Sequence, residues 1–515
     1  MGAENGWSVE LPDEAATREV AERVAAWLRG GDLLTLSGDL GAGKTAFARA
    51  LIRAIVGNSI LEVPSPTFSL MQVYEGPDFP ILHADFYRIR GPDELVNLGW
   101  EEAREGALTL VEWPDRAGAS LPIDRLDVVF SFDAARGPDY RRADFHGSGE
   151  LAQRMKRERA TVALTVAAGW SRARRKHMQG DASSRIYEKL ALGVDTAILM
   201  FAPPRVEGPP LRGGKDYATI AKLSPDIRAF VAVADGLREL RYSAPRIIAL
   251  DVEESIAVLE DFGAETIVGP NGPIPDRYMQ ATALLADLHE RKPPTSLPIR
   301  GEERLYELPT YDLDALLIEA ELALDWYAPS AARIQTPSSA RVYFQGLWRE
   351  ALAPVIRAPK TWTLRDYHSP NIHWLARRSG VERCGLIDFQ DAVLGPPAYD
   401  LASLLQDARV DVPAELEMKL MAHYCRLRRA GDSAFDVDAF AASYAVMGAQ
   451  RATKLLGIFT RLDRRDGKPQ YLAHIPRAER HLARCLEHPA LATLRAWFAT
   501  HLPQPLRGGE GRRPS

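Results

Sequence analysis

"LTLSGDLGAGKT", residues 34–45, sets Gly38, Gly43, Lys44 and Thr45 at the spacing G-x-x-x-x-G-K-[ST] directly behind an apolar run. A loop of this kind cradles phosphates on its backbone N–H groups, and it needs a strand before it and a helix after it. Both are legible: "DLLTLS" (32–37) reads as a buried strand, and "TAFARALIRAIV" (45–56) has helical apolar spacing. The stretch therefore predicts an α/β nucleotide-binding domain. Gly38, Asp39, Gly41, Ala42 and Gly43 wrap the phosphates, Lys44 reaches the β/γ oxygens, and Thr45 binds magnesium. Asp13 and the run from Glu14 to Arg29 predict an opening helix.

Working outward, the loop needs an acidic partner at the end of a second strand. "ALTLVEWPD" (107–115) supplies Glu112, followed by Trp113. "VPSPTFSL" (63–70) puts Thr67 where a switch loop senses the γ-phosphate, and "LHADFYRI" (82–89) carries His83, Asp85, Tyr87 and Arg88 along a strand and its exit. The ordered set GDLGAGKT, SPTF, H-x-D-x-Y-R and VEWP resembles the TsaE family over residues 8–148. That resemblance implies an ATPase subunit of the machinery that makes threonylcarbamoyladenosine at position 37 of tRNA. In it Lys44 and Thr45 hold phosphate and magnesium, Thr67 is a switch, Asp85 and Glu112 serve water activation and metal binding, and Trp113 packs beside the nucleotide. Its implied partners are the threonylcarbamoyl transferase and its paralogue, with tRNA met at most indirectly.

That domain accounts for less than a third of 515 residues, so more than one domain is expected. A composition of 46% hydrophobic and 26% charged residues fits a soluble globular chain, and a net charge of −5 argues neither for nor against nucleic acid. Cys384, Cys425 and Cys485 show no paired spacing, which excludes a disulfide framework or zinc site from the expectation. The polar, acidic N-terminus lacks a signal-peptide pattern, so a cytoplasmic protein without membrane association is expected.

Further along, "WTLRDYHSPNIHWL" (362–375) holds Asp366 and Asn371 at the D-x-x-x-x-N interval of kinase catalytic loops, and "CGLIDFQDAVLGPPAYDLASLL" (384–405) ends a strand at Asp388. In such enzymes the first Asp accepts the hydroxyl proton of the substrate while the Asn and the second Asp hold magnesium. "LEDFG" (259–263) imitates the metal-binding triplet but precedes the catalytic loop, so it reads as the hinge between two lobes, with Asp261 beside the adenine. "GDASSRIYEKL" (180–190) and "TAILMF" (196–201) read as strands of a small nucleotide lobe.

These features, with "LPTYD" (308–312) and "GIFTRLDRRDGKPQYLAHIPR" (457–477), resemble the aminoglycoside and choline phosphotransferases, above all their AmgK-like N-acetylmuramate and N-acetylglucosamine kinases. The resemblance implies Asp366 as base, Asn371 and Asp388 as magnesium ligands, Asp261 in the hinge, and ATP as phosphoryl donor. Two positions depart from the pattern. Leu364 replaces the bracing His of H-x-D, and Met200 replaces the phosphate-pairing Lys of V-A-I-K, leaving that task to Arg185 or Lys189. His368 reads as either a substrate contact or a brace. "TRLDRRDGK" (460–468) could bind a sugar but reads more simply as a solvated charge run, as does the basic cluster "SRARRKH" (171–177).

The expected fold is an α/β P-loop NTPase domain (1–150), a helical, basic join (151–178), an α+β protein-kinase-like, two-lobed phosphotransferase domain (179–505) and a disordered tail (506–515). The expected function is bifunctional: ATP hydrolysis for tRNA modification, and phosphorylation of a small hydroxylated substrate, an N-acetyl amino sugar of cell-wall recycling. The alternative keeps the ATPase and makes the kinase lobe an inactive tether. A single P-loop kinase spanning the chain leaves Asp366, Asn371 and Asp388 without a purpose.

Overall fold

The computed structural model describes residues 6–178 and 185–507. Residues 180–184 of the strand read at 180–190, and residues 508–515 of the expected tail, lie outside the described residues. The chain divides into two compact units, Met1–Val166 and Ala167–Ser515.

The first unit is built on seven strands: β1 (Gly6–Leu11), β2 (Leu33–Ser37), β3 (Met71–Glu75), β4 (Pro80–Asp85), β5 (Leu108–Glu112), β6 (Leu126–Phe132) and β7 (Arg141–Gly147). They lie in the order β1-β7-β6-β2-β5-β4-β3. The inner four, β6, β2, β5 and β4, are parallel, which is why β2 and β5 read as nearly continuous apolar runs buried on both faces. Helix α1 (Glu14–Ala25) starts where Asp13 accepts the N–H of Ala16 at 2.8 Å. Helix α2 (Lys44–Val56) follows β2 through the glycine loop and stops at Gly57, whose φ of 73° suits a residue without a Cβ. Helix α3 (Gly149–Ala167) belongs to this unit through Arg154, whose buried guanidinium makes two bonds, of 2.8 and 2.5 Å, to Asp32.

Helical structure ends at Ala167, earlier than the join expected to residue 178. Residues Arg174–Met178 instead form an exposed edge strand, β8, because Arg175 can pair across it with Glu188 at 2.7 Å. With β9 (Ile186–Leu192), β10 (Asp195–Phe201), β11 (Ile247–Asp251) and β12 (Ile256–Glu260) it makes an antiparallel sheet in the order β11-β12-β10-β9-β8. Helix α4 (Ile227–Glu239) follows its cap Asp226 and buries Phe230, Val231 and Ala234 in the same apolar cluster as Met200. Met200, expected to stand in place of the phosphate-pairing lysine, is thus core.

The rest of this unit is helical, including α5 (Pro275–Glu290), α6 (Leu313–Leu322), α7 (Pro397–Leu405), α8 (Ala414–Gly431) and the long α9 (Val437–Arg464). Among the described residues no helix is long and apolar enough to cross a membrane. The observed classes are an α/β P-loop NTPase unit followed by an α+β, kinase-like unit.

Candidate active sites

In the first unit the parallel register places Glu112 beside Leu36 of β2 and Asp85 of β4, all at strand ends next to the glycine loop. Gly38 has φ 136°, and a Cβ there would stand 2.4 Å from the Phe130 carbonyl oxygen; Gly43 has φ 107° at the helix start. These two positions admit only glycine without strain. Lys44 folds back to donate to the carbonyls of Gly38 (2.7 Å) and Asp39 (2.8 Å), and its Nζ lies 3.9 Å from the centre of the Trp113 ring. Burial pulls the Lys44 ammonium below its ordinary range against the opposing charges of Glu112, Asp85 and Asp39.

The Thr45 hydroxyl donates to Glu112 Oε2 at 2.8 Å, and His83 Nε2 lies 3.0 Å from Oε1 of the same carboxylate. Asp85 is likewise held at both oxygens, by the Ser65 hydroxyl at 2.6 Å and the Tyr87 N–H at 2.9 Å. Thr67 is half-buried on the adjoining loop, 3.4 Å from Ser65 Oγ. A hydroxyl and a carboxylate are hard oxygen donors of the sort magnesium takes when nucleotide phosphates complete its shell. Among the described residues no group of three or more His, Cys, Asp and Glu could hold a metal by itself.

In the second unit Asp366, Asn371 and Asp388 border one cavity of about 360 Å³. The Asn371 amide nitrogen donates to the Asp366 carbonyl at 2.9 Å and to Asp388 Oδ2 at 3.3 Å, tying the catalytic loop to the strand exit. Burial and the neighbouring Asp366 charge push the Asp388 carboxyl up, while Arg185, 2.9 Å from its Oδ1, opposes them. For Asp366, burial is outweighed by the cationic side chains of Lys454, Arg451 and Arg365 and by His368, which together hold the carboxyl below its usual range. It is therefore ionised at neutral pH.

Where the H-x-D pattern has its His, Leu364 is braced through its backbone by a residue that the sequence reading did not single out. Leu364 is buried, and the buried carboxylate of Asp400 accepts the N–H groups of Leu364 (2.6 Å) and Arg365 (2.8 Å). Arg365, at φ 67°, passes its guanidinium to Glu319 and to the Ala221 carbonyl at 3.0 Å, while Lys454 also reaches Glu319 at 2.8 Å. The two cations weighed for the lost lysine separate clearly. Arg185 meets Asp388 and Gln390 in the cavity, whereas Lys189 pairs at 2.9 Å with Asp261, whose other oxygen accepts the Gly263 N–H at 2.8 Å. His83, Asp400 and Gln390 were absent from the expected sites. Only His83 had a local signal, its place two residues before Asp85 on one face of a strand.

The family model for "Threonylcarbamoyl adenosine biosynthesis protein TsaE" matches residues 11–141, and that for the "Phosphotransferase enzyme family" matches residues 176–435. An N-acetylmuramate/N-acetylglucosamine kinase of Caulobacter vibrioides is 36% identical over 360 residues, 67% of this chain and 97% of the relative. Its namesake in Pseudomonas aeruginosa is 29% identical, over 66% of this chain and 93% of the relative. A tRNA threonylcarbamoyladenosine biosynthesis protein TsaE of Rickettsia bellii is 42% identical over 118 residues, 23% of this chain and 81% of the relative. The chain is an enzyme that belongs to both families, a TsaE-type P-loop ATPase continued by a kinase of the phosphotransferase enzyme family.

Proposed function

We propose that the chain is a fused bifunctional enzyme. Its first part, taken as residues 1–150, hydrolyses ATP in support of tRNA threonylcarbamoyladenosine formation. Its kinase part, taken as residues 179–505, transfers phosphate from ATP to a hydroxyl of an N-acetyl amino sugar. The observation that supports this reading is that each unit brings its own expected residues together: Lys44, Thr45 and Glu112 in one, Asp366, Asn371 and Asp388 in the other.

In the ATPase, Lys44 and the loop N–H groups bind the phosphates, Thr45 and Glu112 would hold magnesium, and Asp85, fixed by Ser65 and the Tyr87 N–H, orients the attacking water. Thr67 senses the γ-phosphate, and the partners are the transferase subunits of the modification complex. In the kinase, Asp366 takes the acceptor proton as the new O–P bond forms and the γ-phosphate's bond to the departing ADP breaks, and Asn371 and Asp388 would hold magnesium, which would neutralise the phosphate charge. Arg185 stands where a cation can meet the phosphates, and the backbone after β12, at Asp261, receives the adenine. Asp400 braces the catalytic loop despite Leu364, which favours an active kinase over an inert tether. Both reactions consume ATP and all three cysteines are free and buried, which supports a cytoplasmic site.

The test crosses two variants of the full chain. Lys44→Ala should abolish ATP hydrolysis with the partner subunits while sugar phosphorylation continues, and Asp366→Asn should do the reverse. If either substitution removed both activities, the two-site reading would be wrong.

A further inference from the structure

From Asp388 the chain runs Asp-Phe-Gln, whereas the D-F-G triplet of protein kinases ends in a residue without a side chain. The added side chain links two others. Gln390 is 3% exposed and stands between Asp388 and Arg185, which lies just ahead of β9. Its Oε1 accepts from Arg185 Nη1, and its Nε2 donates to Asp388 Oδ1 at 3.1 Å. Arginine only donates and a carboxylate only accepts, so this orientation of the amide is the one that serves both partners. Arg185 Nη2 meets the same Asp388 Oδ1 at 2.9 Å, which closes a ring of three side chains.

The ring is fixed from behind. Phe389 is buried and stacks on Phe230 of α4, with ring centroids 5.2 Å apart and planes 14° from parallel. Phe230 belongs to the same apolar cluster as Met200, so aromatic packing joins the triplet to α4 and no ion pair passes through Met200. The Tyr187 hydroxyl on β9 also meets Arg185, which is thus held by three groups.

A neutral amide suits this place. Asp226, Asp366, Asp388 and Asp391 all border the cavity, and a loosely held cation would be drawn from one carboxylate to another. The other arginines of the cavity have partners elsewhere: Arg205 donates to the Leu223 carbonyl at 2.9 Å, and Arg409 lies 3.4 Å from His368. Gln390 pins Arg185 without adding a further charge. Arg185 and Gln390 also share Oδ1 of Asp388, while Oδ2 faces Asn371 at 3.3 Å, the residue expected to hold magnesium with it.

We infer that Gln390 is a positioning residue that holds the Arg185 guanidinium beside Asp388, where its planar fork meets the phosphates of the nucleotide. This rests on the reading of Arg185 as the phosphate-facing cation of the kinase. Gln390 acts through Arg185, and no chemical step is added.

A double-mutant cycle on the full chain tests this, with Gln390→Met, Arg185→Met and the two combined. Methionine has about the length of glutamine but offers neither bond. One readout is kcat and KM for ATP with N-acetylglucosamine as acceptor. The other is the affinity for ADP with magnesium by calorimetry, in a Lys44→Ala background that silences the P-loop of the first unit. Gln390→Met should lower kcat/KM for ATP about 10- to 100-fold and weaken ADP about threefold or more, with the KM of the sugar within about twofold of wild type. The double variant should lie within about threefold of Arg185→Met alone, because nothing is left for Gln390 to hold. If Gln390→Met does not fold, Gln390→Asn, one methylene too short to span both partners, must show the same coupling. Losses that multiply in the double variant overturn the inference, since Gln390 then acts apart from Arg185. A Gln390→Met chain within about twofold of wild type in both readouts overturns it as well. An Arg185→Met chain that binds ADP as wild type does overturns the phosphate role of Arg185, and this inference with it. A wild-type chain that phosphorylates no sugar overturns the sugar-kinase reading, while the ADP cycle still decides the role of Gln390.

Discussion

Asp400→Asn isolates the carboxylate that braces the loop around Asp366. In the native chain one carboxylate accepts two backbone N–H groups, at 2.6 and 2.8 Å, in a place without solvent access. The nearest imidazole, His289, stands 3.8 Å away and is kept from protonating chiefly by burial, so the backbone N–H groups are the main support of the charge. Asparagine has the same shape but one acceptor oxygen. The bond it keeps weakens from charged to neutral, about 1 kcal/mol, and the second N–H faces an amide NH2 and goes unsatisfied, about 1–3 kcal/mol more. Together the substitution should cost the loop about 2–4 kcal/mol. Arg365 sits at φ 67°, a conformation these bonds help to hold, so the loop should relax and carry Asp366 off its position. Hydrogen exchange followed by mass spectrometry on a peptide covering residues 361–371 reads this directly. Protection should fall by about 30- to 1000-fold, the converted free energy, and sugar-kinase kcat by about 100-fold, with ATP hydrolysis by the first unit unaffected. Exchange within about threefold of wild type and kcat within about twofold would refute the bracing argument.

Arg185→Ala should depress sugar-kinase kcat by about 10²-fold or more, whereas Lys189→Ala should cost much less, because only Arg185 touches Asp388; equal losses would place Lys189 on the phosphates instead. His83→Gln should lower partner-stimulated ATP hydrolysis by about 10-fold while nucleotide binding, followed by Trp113 fluorescence, persists, since His83 fixes one oxygen of Glu112 and does not reach the phosphate loop; loss of binding would contradict that division. Asp216 is drawn down to about 2 by the Thr219 hydroxyl and by the N–H groups of Gly208 and Thr219. Because its folded value lies below the unfolded one, its stabilisation is present above about pH 4 and is lost as pH falls toward 2. The urea midpoint of Asp216→Asn should therefore lie below that of wild type at pH 6 and converge on it near pH 2, and a gap that stayed constant would disprove the linkage.

The two site loops were legible because each is a local spacing. A glycine loop between an apolar strand and a helix, or an Asp and Asn within one loop, constrains backbone and side chain over a few residues, so the identities alone announce the chemistry. The strand-end acids Glu112, Asp85 and Asp388 were legible for a similar reason, each closing a short apolar run. What escaped depends on register and packing between distant segments. Asp400 lies 36 residues beyond Leu364 and looks like one more polar residue in an otherwise apolar helix until α7 presents it to the catalytic loop. The edge strand at Arg174–Met178 was read as helical because its charges have no apolar alternation; only pairing with β9 assigns it to the sheet.

By itself, then, the sequence determined that the chain joins two unrelated families and pointed to the acids proposed for each, since those signals reside in short contiguous patterns. The tertiary structure alone decided which cation meets Asp388, that Asp400 braces the backbone at Leu364, and that Met200 is core. It also brought Arg409 and His368 together beside Asp366. Those outcomes turn on which side chains desolvate together, and burial is a property of the assembled lobe that no single stretch of sequence contains.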